Sequence, residues 1–155
     1  MFGIFKKKPV VVYAPVNGKV VELDSVPDEV FANKLAGDGV AIIPSDGEFC
    51  APVDGVVSKI FDTNHAFIVT TDSGMDVMVH IGLDTVALNS QGFTRKVEQG
   101  SKVKVGDVII EADLDYVVLN DKETITPIVI SEGKCSIIDK KYGYSDKSNA
   151  IFKLK

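Results

Sequence analysis

Histidine and cysteine are scarce in this chain, and basic charge is in the minority. Of its 155 residues only two are histidine and two are cysteine, and the formal charge at pH 7 is −5. An acidic balance argues against nucleic-acid binding, which ordinarily needs a basic face. Cys50 and Cys135 are too far apart in sequence for a disulfide framework or a metal-type cysteine spacing, so a reducing cytosol is the default compartment. Apolar runs are short. The longest near the start, Pro9 to Tyr13, is too brief for a signal-peptide core or a membrane span. No Gly-rich Walker loop offers a nucleotide cradle. What is present is 45% hydrophobic residues in 16.7 kDa, enough for one domain with its own core, placed at residues 10–155. Residues 1–9 read as a frayed tail. Its Phe2, Ile4 and Phe5 ahead of Lys6, Lys7 and Lys8 would at most touch an anionic membrane surface weakly.

Helix is also scarce. Nearly every segment reads as a short strand between turn residues: Val10–Tyr13, Lys19–Leu23, Val40–Pro44, Gly55–Phe61, a hairpin over 65–83, Lys102–Val105, Val108–Ala112, Ile128–Ser131, Cys135–Ile138 and Ala150–Leu154. That pattern predicts an all-β fold, an antiparallel sandwich or barrel, with one or two very short helices. One helix is predicted to start near Ser25, with Pro27, Asp28 and Glu29 in its first turn and Gly37 beyond its end. Another turn or two is predicted within Asp115–Lys122. The chain also repeats itself. Ala14-Pro15-Val16-Asn17-Gly18-Lys19-Val20 recurs as Ala51-Pro52-Val53-Asp54-Gly55-Val56-Val57, an offset of 37, and Gly100–Asp107 is a turn–strand–turn unit of related character. Such repeats resemble those of biotinyl and lipoyl carrier domains and other duplicated hybrid-motif sandwiches. A carrier, however, keeps its swinging lysine at a hairpin tip, and Asp72-Ser73-Gly74 has none.

Both histidines fall in that hairpin, His65 before the run Ala66–Thr71 and His80 near the end of Met75–Ile81. If the loop is Asp72 and Ser73 alone, strand partners have numbers summing to 145, and His65 stands opposite His80 with Cβ atoms roughly 4.5–5.5 Å apart. A three-residue loop with Gly74 left-handed moves the sum to 146 and, without a further bulge, sends the rings to opposite faces. The two-residue register is the one expected, because it gives the hairpin a chemical purpose. Two facing imidazoles then admit three accounts. They are a structural cross-strand pair, part of a zinc site at His65 and His80, or nucleophilic histidine chemistry in which one ring attacks and the other holds what is attached. A zinc hydrolase on such a sandwich would need a His-x-His pair plus another histidine and an aspartate, and the chain has only two histidines.

Thr63-Asn64-His65-Ala66-Phe67 and Val79-His80-Ile81-Gly82-Leu83-Asp84-Thr85-Val86 resemble the two histidine motifs of the glucose-type enzyme IIA family of the bacterial phosphoenolpyruvate-dependent sugar phosphotransferase system. The resemblance extends through Ser25–Phe31, Gly37–Ile42, Ala51–Gly55, Gly92-Phe93 and Val103–Asp107, and covers about residues 10–131. It implies an antiparallel β-sandwich that relays a phosphoryl group. The donor would be the carrier protein HPr, and the acceptor a cysteine of the IIB domain of a sugar permease. The resemblance makes His80 the phosphoryl acceptor through Nε2, His65 the ring that steadies the group, and Thr63 the residue that orients His65. A neutral imidazole is a good nucleophile near pH 7. Its Nδ1–H needs an acceptor, which a backbone carbonyl near Gly82 could supply; a glycine inside a strand otherwise only weakens it.

The resemblance also implies an apolar docking ring of Val30, Phe31, Phe61, Met78 and Val86, with Asp28 and Asp84 meeting arginine on the partner. Each apolar member has ordinary core packing as its competing account, and the family often carries an aromatic where Met78 stands. Cys50 and Cys135 match no functional position. No cofactor is required. In some family members the unphosphorylated form regulates permeases and kinases, with zinc shared between the two histidines and a partner carboxylate. The chain departs from the family at 140–155, which lacks the usual Gly-Asp turn and is read as the same closing strand with a more polar turn. Starting at a methionine and ending just after the sandwich, it reads as a free-standing IIA.

Overall fold

A computed structural model describes residues 9–131 and 135–155, and the N-terminal tail discussed above lies almost wholly outside them. In chain order the strands are β1 (Val10–Tyr13), β2 (Gly18–Glu22), β3 (Asp38–Pro44), β4 (Glu48–Cys50), β5 (Gly55–Ile60), β6 (Ala66–Thr70), β7 (Asp76–His80), β8 (Phe93–Arg95), β9 (Lys102–Val103), β10 (Val108–Ala112), β11 (Thr126–Ile130), β12 (Ile137–Ile138), β13 (Gly143–Ser145) and β14 (Ala150–Leu154). The two α-helices are α1 (Glu29–Ala32) and α2 (Leu114–Leu119). β4, β8 and β13 escape the sequence reading. Each is three residues long, too short for alternation to show, and β13 sits in the polar closing turn. α1 starts at Glu29, later than the expected start near Ser25, which closes a separate 3-10 turn; Asp28 caps the helix, accepting from Val30 N–H at 2.9 Å, and Gly37 lies beyond its end at φ +127°.

Eight strands form one antiparallel sheet in the order β13-β2-β3-β11-β7-β6-β5-β9, and two three-stranded sheets, β1-β14-β12 and β4-β10-β8, complete the sandwich. Alternation decides which residues meet between the layers. From the large sheet Val40, Ile42, Phe67, Val69, Val77, Val79 and Ile128 turn inward and pack with Val12, Phe49, Ile110, Phe152 and Leu154. The neighbours of those inward residues turn outward. Ala41 of β3, Val129 of β11 and Met78 of β7 form a second apolar cluster on the sheet's outer face, with Leu23, Val26, Phe31 and Leu83. His80 is two residues from Met78 on the same strand, so it belongs to this outer face. The first core holds the sandwich together, and the second is a platform for the site.

The internal repeat is structural as well as sequential. Tyr13 N–H donates to Pro52 O at 2.8 Å, and Cys50 N–H, 37 positions on, donates to Pro15 O at 2.7 Å. Asn17 Oδ1 accepts from Lys147 N–H and Asp54 Oδ1 from Val105 N–H. The missing Gly-Asp turn of the C-terminal segment is explained by the same symmetry. Gly106 N–H donates to Ala51 O and Ala51 N–H to Asp107 O; Ser148 N–H donates to Ala14 O and Ala14 N–H to Asn149 O. Ser148-Asn149 therefore stands against the first copy of the repeat where Gly106-Asp107 stands against the second, and Ser148 takes the left-handed conformation at φ +68°. A serine there carries strain on the order of 1 kcal/mol. Ser148→Gly should stabilise the fold by up to about 1 kcal/mol after the added freedom of the unfolded chain is discounted. Gly106→Ser should destabilise it, and urea unfolding of the two variants checks the opposite signs.

Candidate active site

The histidine hairpin does not take the expected register. Ala66 pairs with His80, Phe67 with Val79 and Thr70 with Asp76, a sum of 146. The loop has three residues, Asp72, Ser73 and Gly74, with Thr71 N–H donating to Met75 O and Gly74 left-handed at φ +86°. A turn from Thr71 to Gly74 followed by a left-handed glycine matches the right-handed twist of the strands as well as a two-residue loop does. Strict alternation from this register would point His65 inward with Phe67, away from His80. The rings nevertheless meet, with centroids 4.9 Å apart and planes at 82°. The chain bends at Asn64 and His65, and Asn64 sits at φ +60°, so alternation ends at Ala66 and the His65 ring comes round to the outer face. The convergence was expected; its cause was not.

Each ring is held from its Nδ1 side. His80 Nδ1 lies 2.7 Å from Gly82 O. A carbonyl only accepts, so His80 carries its proton on Nδ1 and leaves Nε2 bare. Gly82 is required for this contact. It sits at φ +74°, and a Cβ there would fall 2.5 Å from Glu123 O and 2.8 Å from Thr85 Cγ2. The loop is fixed further by Leu83 N–H donating to Glu123 O and by the buried Thr85 hydroxyl donating to Ile81 O at 2.6 Å. Thr85 gave no signal in sequence beyond membership of the second motif. His65 Nδ1 faces Thr63 Oγ1 at 2.5 Å, and a hydroxyl can either give or take that proton.

Phe31 packs its ring 5.0 Å from that of His80, and Phe61 sets its ring 5.5 Å from that of His65. His65 is only 5% exposed. Burial, with a smaller contribution from the neighbouring His80, pushes its pKa down to about 4. Burial also lowers His80, opposed by the Gly82 hydrogen bond and by the carboxylates of Asp28 and Asp84. Both rings are therefore neutral at pH 7. Around them Val30 and Val86 stand out at 49% and 52% exposure, while Phe61 and Met78 are half-buried. Phe31 departs from the expected exposed ring: at 7% exposure it belongs to the outer-face cluster and supports His80 from beside it. Asp28 spends one oxygen capping α1, and Asp84 is exposed at the left-handed corner of the loop. Among the described residues no group of three or more His, Cys, Asp or Glu could hold a metal ion.

Residues 10–135 match the model of the phosphoenolpyruvate-dependent sugar phosphotransferase system, EIIA 1 family. The chain belongs to that family. Its fold matches the glucose permease IIA from Mycoplasma capricolum with a TM-score of 0.93, at 37% identity over 100% of each chain. As an EIIA, the chain is a component of the sugar phosphotransferase system. Among the described residues no helix is long and apolar enough to cross a membrane.

The low pKa of His65 has a consequence for stability. The unfolded chain takes up a proton at His65 near pH 6.5, and the folded chain refuses it until about pH 4. Stability should be fully present above pH 6.5 and fall by on the order of 3 kcal/mol as pH drops through that window. Urea unfolding between pH 7 and pH 4 should show a shallower loss in His65→Gln than in the unaltered chain.

Proposed function

We propose that this EIIA accepts a phosphoryl group from phospho-HPr on His80 Nε2 and passes it to a cysteine of a permease IIB domain. The observation that carries the reading is the His80 Nδ1–Gly82 carbonyl hydrogen bond, which fixes the nucleophilic tautomer before any partner arrives. In the first transfer the N–P bond of the donor histidine breaks as the bond from His80 Nε2 to phosphorus forms. The donor imidazole keeps the electron pair of the broken bond. In the second, the bond to His80 breaks and a cysteine thiolate takes the group. No nucleotide or metal is needed, because the attacking and leaving atoms only have to be brought into line and the charge on the phosphoryl oxygens met.

His65 meets that charge. With the Thr63 hydroxyl donating to its Nδ1, the proton of His65 sits on Nε2 and can be given to a phosphoryl oxygen. The two rings thus take opposite tautomers, one bare and one donating, and division of labour follows from their Nδ1 partners. Neutrality at pH 7 keeps His80 nucleophilic, and the Nδ1 proton held at Gly82 O makes the phosphorylated ring a good leaving group for the second transfer. Val30, Val86, Phe61 and Met78 give HPr and IIB a modest apolar rim suited to brief contact, with Asp84 free for a partner cation and Asp28 partly committed to its helix. Zinc in a regulatory complex is a second use of the pair. It would draw two nitrogens from this chain and its remaining ligands from the partner.

Incubation with phosphoenolpyruvate, enzyme I and HPr should add one acid-labile phosphate by mass. His80→Ala should take none while keeping its thermal midpoint, and stoichiometric labelling of that variant would sink the assignment. His65→Gln should slow single-turnover transfer by about 100-fold or more, the scale of losing one donor to developing charge. Gly82→Ala should cost about 1–3 kcal/mol of stability from the strained backbone. It should also slow transfer in the fraction that stays folded.

A further inference from the structure

We propose that Arg95, the single arginine of the chain, is a positioning residue for His65 and acts through Asn64. The need for such a residue follows from the hairpin register. With Ala66 paired to His80, a regular strand would carry His65 into the core beside Phe67. Only the bend at Asn64 and His65 brings the two rings together. Asn64 holds the bend in a left-handed conformation that costs a side-chain-bearing residue energy, and its N–H closes the turn on Phe61 O at 2.7 Å. Arg95 Nε–H donates to Asn64 Oδ1 at 2.8 Å.

The brace comes from the other layer. Arg95 is in β8, paired through Ile110 with β10, whereas His80 is in the large sheet. The corner that presents His65 is thereby tied to both layers of the sandwich. Two more side chains from the same stretch grip the corner: Ser90 Oγ donates to Asp62 O at 3.2 Å, and Gln99 Oε1 accepts from Ile60 N–H at 3.0 Å. The other partner of Arg95, Glu98, is 3.9 Å away and mostly exposed, too weak a contact to account for the arginine. Lysine cannot replace it, since it lacks the planar fork whose Nε–H meets Asn64. The rate effects below rest on the phosphoryl-relay reading; the ring geometry does not.

The test pairs two readouts on Arg95→Lys, and on Asn64→Gly, which keeps the positive φ and removes the anchor. Nuclear Overhauser contacts between the His65 and His80 ring protons report the geometry, and single-turnover transfer from phospho-HPr reports its use. Both variants should weaken the ring contacts and slow transfer between about 10- and 100-fold, the scale of a small misplacement at a reacting centre. The thermal midpoint should move by less than about 4 °C. In a His65→Gln background Arg95→Lys should slow transfer less than about twofold more, because its effect passes through His65. Intact ring contacts in both variants would overturn the proposal. So would rate penalties that multiply in the double variant, which would make Arg95 a docking charge for the partner instead. Failure of the unaltered chain to take up phosphate would count against the relay reading alone, leaving the ring contacts to decide this one.

Discussion

One hydrogen bond fixes the tautomer on which the proposed relay depends: the 2.7 Å contact between His80 Nδ1 and the Gly82 carbonyl. It is made within a span of three residues, and it exists because the strand ends at His80 and the chain turns back on itself at once. Only glycine supplies the required conformation and leaves room for the Glu123 carbonyl that closes the loop from the other side. Fixing the proton on one nitrogen leaves the other bare, which is the tautomer that the proposed relay requires. Thr63 offers His65 what a carbonyl could not, since a hydroxyl can donate to Nδ1 as well as accept from it.

The sandwich is arranged so that this site needs little from the main core. β3, β11 and β7 of the large sheet place apolar residues on both faces: the inner ones join the sandwich core, and Ala41, Val129 and Met78 join a smaller outer cluster with Phe31 of α1 and Leu83 of the loop after His80. The histidines sit at the edge of the smaller cluster, dry enough to be neutral and open enough to be reached. Exposed Val30 and Val86 continue the same apolar surface outward. Burial that lowers both histidine pKa values keeps the rings uncharged further to the acid side than a free imidazole would be.

Much of this was legible in the sequence. Strand ends at β10 and β14, Gly37 beyond the end of α1 and the need for Gly82 beside His80 follow from residue type and spacing. The hairpin register was not legible, because Asp72-Ser73-Gly74 satisfies the two-residue and three-residue loops alike. The choice of 145 was drawn from chemistry, and the structure reaches the same chemistry by a bend at Asn64 instead. Phe31 was ambiguous for a different reason. One turn of helix gives no periodicity from which to say whether an aromatic faces a partner or the protein itself. Ser148-Asn149 hid as the equivalent of Gly106-Asp107 because the correspondence lies in backbone conformation and hydrogen bonds, which serine can adopt at a cost. Arg95 and Asn64 meet across 31 residues and two sheets, and no local pattern announces that.

The central claim is that the protein alone, before any partner binds, fixes His80 as a neutral ring protonated on Nδ1. Nitrogen-15 NMR correlation of the imidazole nitrogens with their ring protons, recorded on the unphosphorylated chain at pH 7, measures this directly. The account predicts a protonated Nδ1 and a bare Nε2 for His80. A proton on His80 Nε2, or an imidazolium at that pH, would contradict it.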